Sequence, residues 1–170
     1  YLRMWDTASA QRVDRFLTNS QFVARRIAKY YRRQATVVPP PVDTAFFTPG
    51  SERGDYYLMV TALVPYKGID LAIQAFNALR RPLKIIGSGP LAAQLKVLAG
   101  PSVELLGWRS NEELRQYYAA CRAVIFPAQE DFGIVPLEAN AAGRPVLALG
   151  LGGALETVIP ANDMRFPGMQ

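Results

Sequence analysis

Two carboxylates, Glu130 and Glu138, stand eight positions apart in the stretch EDFGIVPLEANAAGRPVLA, residues 130–148, with Gly133 and Pro136 between them. A strand-like apolar run precedes them, and a small-residue helical pattern leads on into another strand. Proline suits the first turn of a helix. Phe132, Gly133 and Ile134 therefore form the lead-in, with unpaired N–H groups that, together with the helix dipole, stabilise a phosphate or diphosphate. Glu138 is expected in the first helical turn, about one turn below Glu130. A carboxylate accepts two hydroxyls at once, so a vicinal diol such as a ribose suits Glu138, and a sugar suits Glu130. Gly133 lets backbone and ligand approach closely. Two acids around a phosphate-holding helix end would hold a nucleoside diphosphate attached to a sugar.

Plainer readings compete. An acid in a first helical turn is favoured by the dipole alone. Glu130 and Asp131 read equally well as loop acids, and Lys67 as a solvated loop lysine. A glycosidase pair, one acid and one nucleophile, is a further alternative. That chemistry wants two acids facing each other across a cleft, usually without a phosphate-binding loop nearby.

The elements that must position these residues show in the periodicity. RFLTN (15–19) reads as a short strand, with Ser20 as N-cap of a helix through FVARRIAKYY. TVVPPPVD (36–43) reads as a strand ended by prolines, and TPGSERGD (48–55) as a loop and a boundary. From Tyr56 strands alternate with helices: YYLMVT, GIDLAIQAFNAL, LKIIG, LAAQLKVLA, VELLG, SNEELRQYYAA, AVIFP, VPLEANAA and PVLAL. Ser110 and Glu113 make a capping box, and Gly143 with Pro145 marks a helix end. This alternation predicts an α/β fold, a Rossmann-like parallel sheet with helices on both faces.

Such sheets bind ligands beyond the carboxyl ends of their strands. Lys67, the turn Gly87-Ser88-Gly89, the loop Gly107-Trp108-Arg109, the stretch Glu130 to Ile134, and Gly150, Gly152 and Gly153 all fall at such ends. Five on one rim indicate a site. Residues 87–92, GSGPLA, also match the G-x-G-x-x-A dinucleotide fingerprint. An NAD-binding domain of an oxidoreductase would further need an acid at the end of the next strand. The nearest, Glu104, is expected near the start of its strand instead.

Composition narrows the chemistry. The 170 residues contain no histidine, which removes His-based general bases, Ser-His-Asp triads and most zinc sites. The single cysteine, Cys121, excludes an internal disulfide framework and fits a reducing, cytoplasmic compartment. No apolar stretch approaches the ~20 residues that span a bilayer, and no signal-peptide pattern opens the chain. Residues 1–33 hold eight Lys/Arg against two Asp, and the remainder eleven against twelve Asp/Glu, so the net +5 belongs to the opening segment. A solvated helix face, or a surface that meets a missing neighbour, is the simplest reading of that cluster, and contact with anionic lipid or nucleic acid is the alternative. No motif for nucleic acid accompanies it.

The stretch EDFGIVPLEANAAGRPV resembles the E-x7-E signature of the retaining glycosyltransferases of the large group-1 family (family 4), which have the GT-B fold. TALVPYKGIDLAIQAF, LKIIGSGP, VELLGW, NEELRQYYAACRAVIFP and GGALETV occur in that family's order and spacing. RVDRFLTNSQFVARRI and PPPVDTAFF look like the segment joining its two domains, so the likeness covers about residues 9–158. ALVPYK with EDFG is most similar to a bacterial branch, often mannosyltransferases of surface polysaccharide synthesis.

The resemblance implies the C-terminal, donor-binding half of a GT-B enzyme. It implies transfer of a hexosyl, here mannosyl, residue from a nucleotide sugar to a glycan or lipid-linked acceptor, with retention. Lys67 would pair with the donor diphosphate and Glu130 with hydroxyls of the transferred sugar, the two catalytic positions. Glu138 would bind the ribose, and Phe132, Gly133 and Ile134 would supply backbone contacts. Gly87, Gly89, Gly107, Trp108 and Arg109 would approach the nucleotide. No metal and no cofactor are implied, and GDP-mannose is favoured over UDP-sugars as donor. The acceptor would come through an N-terminal domain outside this chain. Nucleic acid is not an expected partner, and the full enzyme would sit in the cytoplasm or peripherally on the cytoplasmic membrane.

The expected layout is a joining segment over residues 1–50, a nucleotide-sugar-binding core over 51–158 and an irregular tail over 159–170. Many relatives have Gly-Arg where this chain has Thr61-Ala62, so one of the usual two diphosphate cations is absent, and Arg109 or a residue outside this chain would replace it. After GGALETV, the stretch IPANDMRFPGMQ matches neither the strand nor the returning helix that the family has there. The chain alone is therefore expected to bind a nucleotide sugar weakly and to transfer nothing.

Overall fold

The computed structural model describes residues 1–51 and 54–161, so part of the 48–55 loop and most of the expected tail lie outside the described residues. In chain order the elements are α1 (Leu2–Ala10), β1 (Phe16–Thr18), α2 (Gln21–Tyr31), β2 (Ala35–Val37), β3 (Tyr57–Val60), α3 (Ile69–Leu79), β4 (Leu83–Ile86) and α4 (Ala92–Leu98). There follow β5 (Val103–Gly107), α5 (Asn111–Ala120), β6 (Val124–Phe126), α6 (Ile134–Ala141), β7 (Val146–Ala148) and α7 (Ala154–Thr157). A 3-10 turn, Pro65–Lys67, precedes α3. The described residues gather into two compact units, one of 42–129 with 134–150, the other of 1–41 with 130–133 and the chain from 151.

In the larger unit five parallel strands pair in the order β5-β4-β3-β6-β7. Successive residues of β3 and β4 bury to opposite sides. Met59 and Ile85 join Ile69, Ala72, Ile73 and Phe76 of α3 and Leu95 of α4. Leu58 and Ile86 join Tyr118 of α5 and Ala139 of α6. The sheet is thus covered on both faces, as its apolar runs require. Burial in α3 at 69, 72, 73 and 76 follows the helical period, which is why this segment packs as a helix. Ser110 Oγ accepts from the Glu113 N–H while the Glu113 carboxylate accepts from the Ser110 N–H, so the expected capping box starts α5. Gly143 has φ +68 just beyond α6, the left-handed helix stop expected there.

In the smaller unit β1 and β2 pair in parallel, Phe16 opposite Ala35 and Thr18 opposite Val37. Ser20 caps α2 by accepting from Val23 N, as its sequence position predicts. The helix α1 answers no expectation from the sequence; its Asp6 accepts a 2.7 Å bond from the Tyr31 hydroxyl of α2. Among the described residues no helix is long and apolar enough to cross a membrane.

Candidate functional site

The order of the five-stranded sheet changes direction between β3 and β6. Connections run outward one way through β4 and β5, then return to β6 and run outward the other way to β7. Beyond the carboxyl ends of two such strands their loops part and leave a crevice, the usual ligand position in this class of sheet. The loop after β3 carries Thr61 to Lys67, and Lys67 closes the 3-10 turn with its Nζ 5.2 Å from the Tyr66 ring centroid. Gly68 follows with φ +65 and starts α3 against Pro127, where a Cβ would lie 3.4 Å from the proline ring.

The glycine turn after β4 has a reason that involves no ligand. A Cβ on Gly87 would fall 1.8 Å from the Thr61 carbonyl oxygen, and one on Gly89 would fall 2.5 Å from that of Leu63. Leu63 N donates to Ser88 O at 2.9 Å, and Gly87 N donates to Gly107 O at 2.9 Å. Three loops are stitched backbone to backbone, which only glycine permits at 87, where φ is +146. At Gly107 a Cβ would meet open space, and only its φ of +74 calls for glycine. Beside it Trp108 is 71% exposed. The Arg109 guanidinium lies 3.5 Å from Glu113 and donates to the Trp108 carbonyl, so these contacts must loosen before it could reach a diphosphate.

Glu138 departs from its expected place. Helix α6 starts at Ile134, so Pro136 is in the first turn as proposed, but Glu138 is the fifth helical residue and lies in the second turn. Free N–H groups are confined to the first turn, so the dipole does not account for an acid at this position. A side chain does. The Tyr118 hydroxyl donates to Glu138 Oε2 at 2.7 Å. The tyrosine is fully buried, its ring edge-on to Phe47 at 5.5 Å. Burial, and then the negative charge and hydrogen bond of Glu138, hold its hydroxyl well above the ordinary tyrosine range, so it remains a donor.

Glu130, Phe132 and Gly133 belong to the smaller unit, whereas Ile134, Glu138, Lys67 and the three glycine loops belong to the larger. Glu130 bridges to Gly152 in parallel fashion, and Gly153 N donates to Glu130 O at 2.8 Å. A Cβ on Gly153 would sit 2.4 Å from Phe132 Cα and 2.6 Å from Asp131 O. Gly133 has φ +85, the left-handed conformation that lets the loop turn. Asp131 pairs with Arg26 of α2 at 2.8 Å. On the same helix, the Glu156 carboxylate accepts from Gln21 N at 2.8 Å and from Phe22 N at 2.7 Å, filling two of the open N-terminal donors.

Tyr118, Glu156 and the Arg26–Asp131 pair carry no expectation from the sequence, and Gly153 carries one only as a glycine beyond the carboxyl end of a strand. For Tyr118 a signal exists. Leu114, Tyr117 and Tyr118 of α5, with Cys121 at its C-cap, face the core together, and a hydroxyl in such a stripe requires an acceptor. Glu104 is the second residue of β5 and pairs with Lys84 at 3.8 Å, at the wrong end of its strand to hold an NAD ribose. Among the described residues no three His, Cys, Asp or Glu side chains gather as a metal site.

Residues 43–165 match the family model for glycosyl transferases group 1. Over 86% of its length the chain is 29% identical to an uncharacterized glycosyltransferase of Methanocaldococcus jannaschii, of which it covers 43%. Over 82% of its length it is 33% identical to a GDP-mannose-dependent alpha-(1-6)-phosphatidylinositol monomannoside mannosyltransferase of Mycobacterium tuberculosis, of which it covers 44%. The chain thus spans less than half the length of these curated relatives. Among solved structures, Anabaena HepE in complex with UDP and glucose aligns with a TM-score of 0.78 over 94% of this chain and 50% of that one, at 23% identity. Sucrose-phosphate synthase from Thermosynechococcus elongatus aligns at 0.80 over 93% of this chain and 46% of that one, at 24% identity. At such identities the likeness carries the fold, a Rossmann-like α/β sheet shared with GT-B glycosyltransferases. With the family model matched across nearly all of the sheet-bearing unit, the chain belongs to the group 1 glycosyltransferase family.

Proposed function

We propose that this chain is the donor-binding half of a retaining hexosyltransferase and holds a nucleoside-diphosphate sugar at the carboxyl rim of its five-stranded sheet. The observation that carries the reading is the strand order, because Lys67, the Gly87–Gly89 turn, the Gly107–Arg109 loop and the helix bearing Glu138 all follow strands at that rim. In this reading Lys67 meets the diphosphate, Glu138 the ribose, and Glu130 the hydroxyls of the sugar, with Phe132, Gly133 and Ile134 lending backbone groups. A cation at the departing diphosphate lowers the barrier by stabilising charge that develops as the glycosidic bond breaks. The acceptor hydroxyl then attacks from the face that the diphosphate leaves, which retains the anomeric configuration. No metal or cofactor takes part in this scheme.

GDP-mannose is the first donor to try, supported by the GDP-mannose dependence of the mycobacterial relative. UDP-sugars are the second, supported by the UDP and glucose bound to HepE. The acceptor, a glycan or a lipid-linked one, would come with the half of the relatives' length that this chain does not span. In the full enzyme the basic segment 1–33 suits a peripheral membrane contact. Calorimetric titration with GDP, UDP, GDP-mannose, UDP-glucose and NAD tests the reading. One diphosphate series should bind, weakened about tenfold or more by Glu138→Ala or Lys67→Ala, since a hydrogen bond to a charged group is worth about 1.5–3 kcal/mol. Binding of NAD alone, or binding indifferent to both substitutions, would overturn it. Robust transfer by the chain alone would refute its role as one half of a site.

A further inference from the structure

We propose that Tyr118 is the positioning residue for Glu138, its hydroxyl fixing one carboxylate oxygen so that the other is presented to the ribose. The inference rests on the reading of Glu138 as the ribose acid, and goes beyond it to the group that aims that acid.

Tyr118 has no freedom to do otherwise. Its side chain is fully buried in the cluster of Phe47, Leu58, Val124 and Ala139, so the ring is held in one rotamer. A tyrosine hydroxyl taken out of water must find an acceptor, or it costs the desolvation of that group. The acceptor is Glu138 Oε2, at 2.7 Å. Among the described residues Glu138 Oε1 has no hydrogen-bond partner. Glu138 is only half-buried, and a glutamate with three rotatable bonds at a protein surface samples many rotamers. Tethering one oxygen to a fixed ring removes that freedom before any ligand arrives, which lowers the ordering cost of binding. The hydroxyl stays protonated well beyond neutral pH and so remains a donor to the carboxylate. The plain alternative is a core tyrosine satisfied by the nearest acceptor, with no bearing on the ligand.

The two alternatives separate in one experiment. UDP, GDP and their 2′,3′-dideoxy counterparts are titrated against the chain, its Tyr118→Phe and Glu138→Gln variants, and the double variant. Wild type should prefer the ribose form of the bound nucleotide about tenfold. Tyr118→Phe, which keeps the ring in the core, should reduce that ratio about threefold or more while leaving the dideoxy affinity within twofold. Glu138→Gln should bring the ratio near one, with no further fall in the double variant. A ratio unchanged in Tyr118→Phe but lost in Glu138→Gln would overturn the positioning role and leave the ribose reading standing. A wild type without preference, or a Glu138→Gln variant that keeps it, would remove the ribose reading and this proposal together. Ligand-free NMR supplies a second arm. The two Cγ protons of Glu138 should be distinct in wild type and averaged in Tyr118→Phe, and averaging already in wild type would refute a fixed carboxylate.

Discussion

Glu138 and Glu130 are held by opposite means. Glu138 rides on a regular helix packed into an apolar cluster, and its carboxylate meets a hydroxyl that is itself buried. Glu130 sits in a loop tied by a single isolated bridge to Gly152, by the close pass of Gly153 under Phe132, and by a half-exposed ion pair at Asp131. One region draws its order from burial, the other from backbone fit and surface charge. A proposed ribose acid aimed by a buried hydroxyl and a proposed sugar acid placed by its loop follow from that difference. The base-bearing end of the donor is common to every turnover, whereas the sugar must change its bonding as it leaves.

The strongest test of the contrast is Gly153→Ala. The added methyl would meet backbone atoms of Phe132 and Asp131 at 2.4 to 2.6 Å, and no flexible side chain is there to give way. We expect a cost of about 3 kcal/mol or a displaced loop. Affinity for the nucleoside diphosphate should stay within about threefold, while any added affinity for the matching nucleotide sugar disappears. Calorimetry with both ligands reads this directly. Loss of nucleoside diphosphate binding in step with the sugar would show that the two regions are not independent.

The next test strains the buried side. Burial pushes the Cys121 thiol from 9.0 up to about 11, against the opposing charge of Arg144, and its Sγ contacts the Tyr118 carbonyl at 3.4 Å. A thiol whose folded value is raised binds its proton more tightly in the native state. Its stabilisation is therefore complete below about pH 9 and is lost as pH climbs through 9 towards 11. The loss should reach about 2 kcal/mol by pH 11, with Tyr56, raised by burial to about 12, adding to it above pH 10. Urea denaturation at pH 8, 9.5 and 11 measures it, and Cys121→Ala should flatten the curve between 9 and 10. A wild-type curve flat over that interval would mean that the cluster supporting Glu138 is open to water.

The regular parts of the molecule were legible because burial and helical or strand period coincide in them. The apolar runs of β3 and β4 and the 69, 72, 73, 76 stripe of α3 imply a covered parallel sheet before any coordinate is known. Side-chain caps were legible for the same local reason: Ser20 and the Ser110–Glu113 box act within three residues of themselves. What stayed hidden joins residues distant in sequence. Glu156 reaches Gln21 across 135 positions and Arg26 reaches Asp131 across 105, and no local pattern marks either pair. Glu138 shows the limit at short range. Pro136 fits N1 and N3 of a helix alike as a first-turn residue, and starting α6 at Ile134 rather than later moves the acid out of the first turn. The glycines at 87 and 89 teach a further point, since the pattern of a ligand-cradling turn is also what two crossing loops demand.

The smallest expected effect belongs to Arg26 and Asp131. Their side chains are 53% and 54% exposed, and an ion pair so open to water contributes about 0–1 kcal/mol, less as salt rises. Arg26→Ala should thus leave the denaturation midpoint almost unchanged, and any difference from wild type should vanish in about 1 M salt, where the screening length is near 3 Å. Its effect should appear instead in the loop: faster backbone amide exchange at Asp131, Phe132 and Gly133, with none at Glu138. Exchange that quickens equally at Glu138 would mean that the surface pair supports both acids, and the division between a buried anchor and a surface tether would fail. Exchange unchanged at both would assign the order of the Glu130 loop to contacts other than this pair, the Gly152 bridge and the Gly153 packing among them.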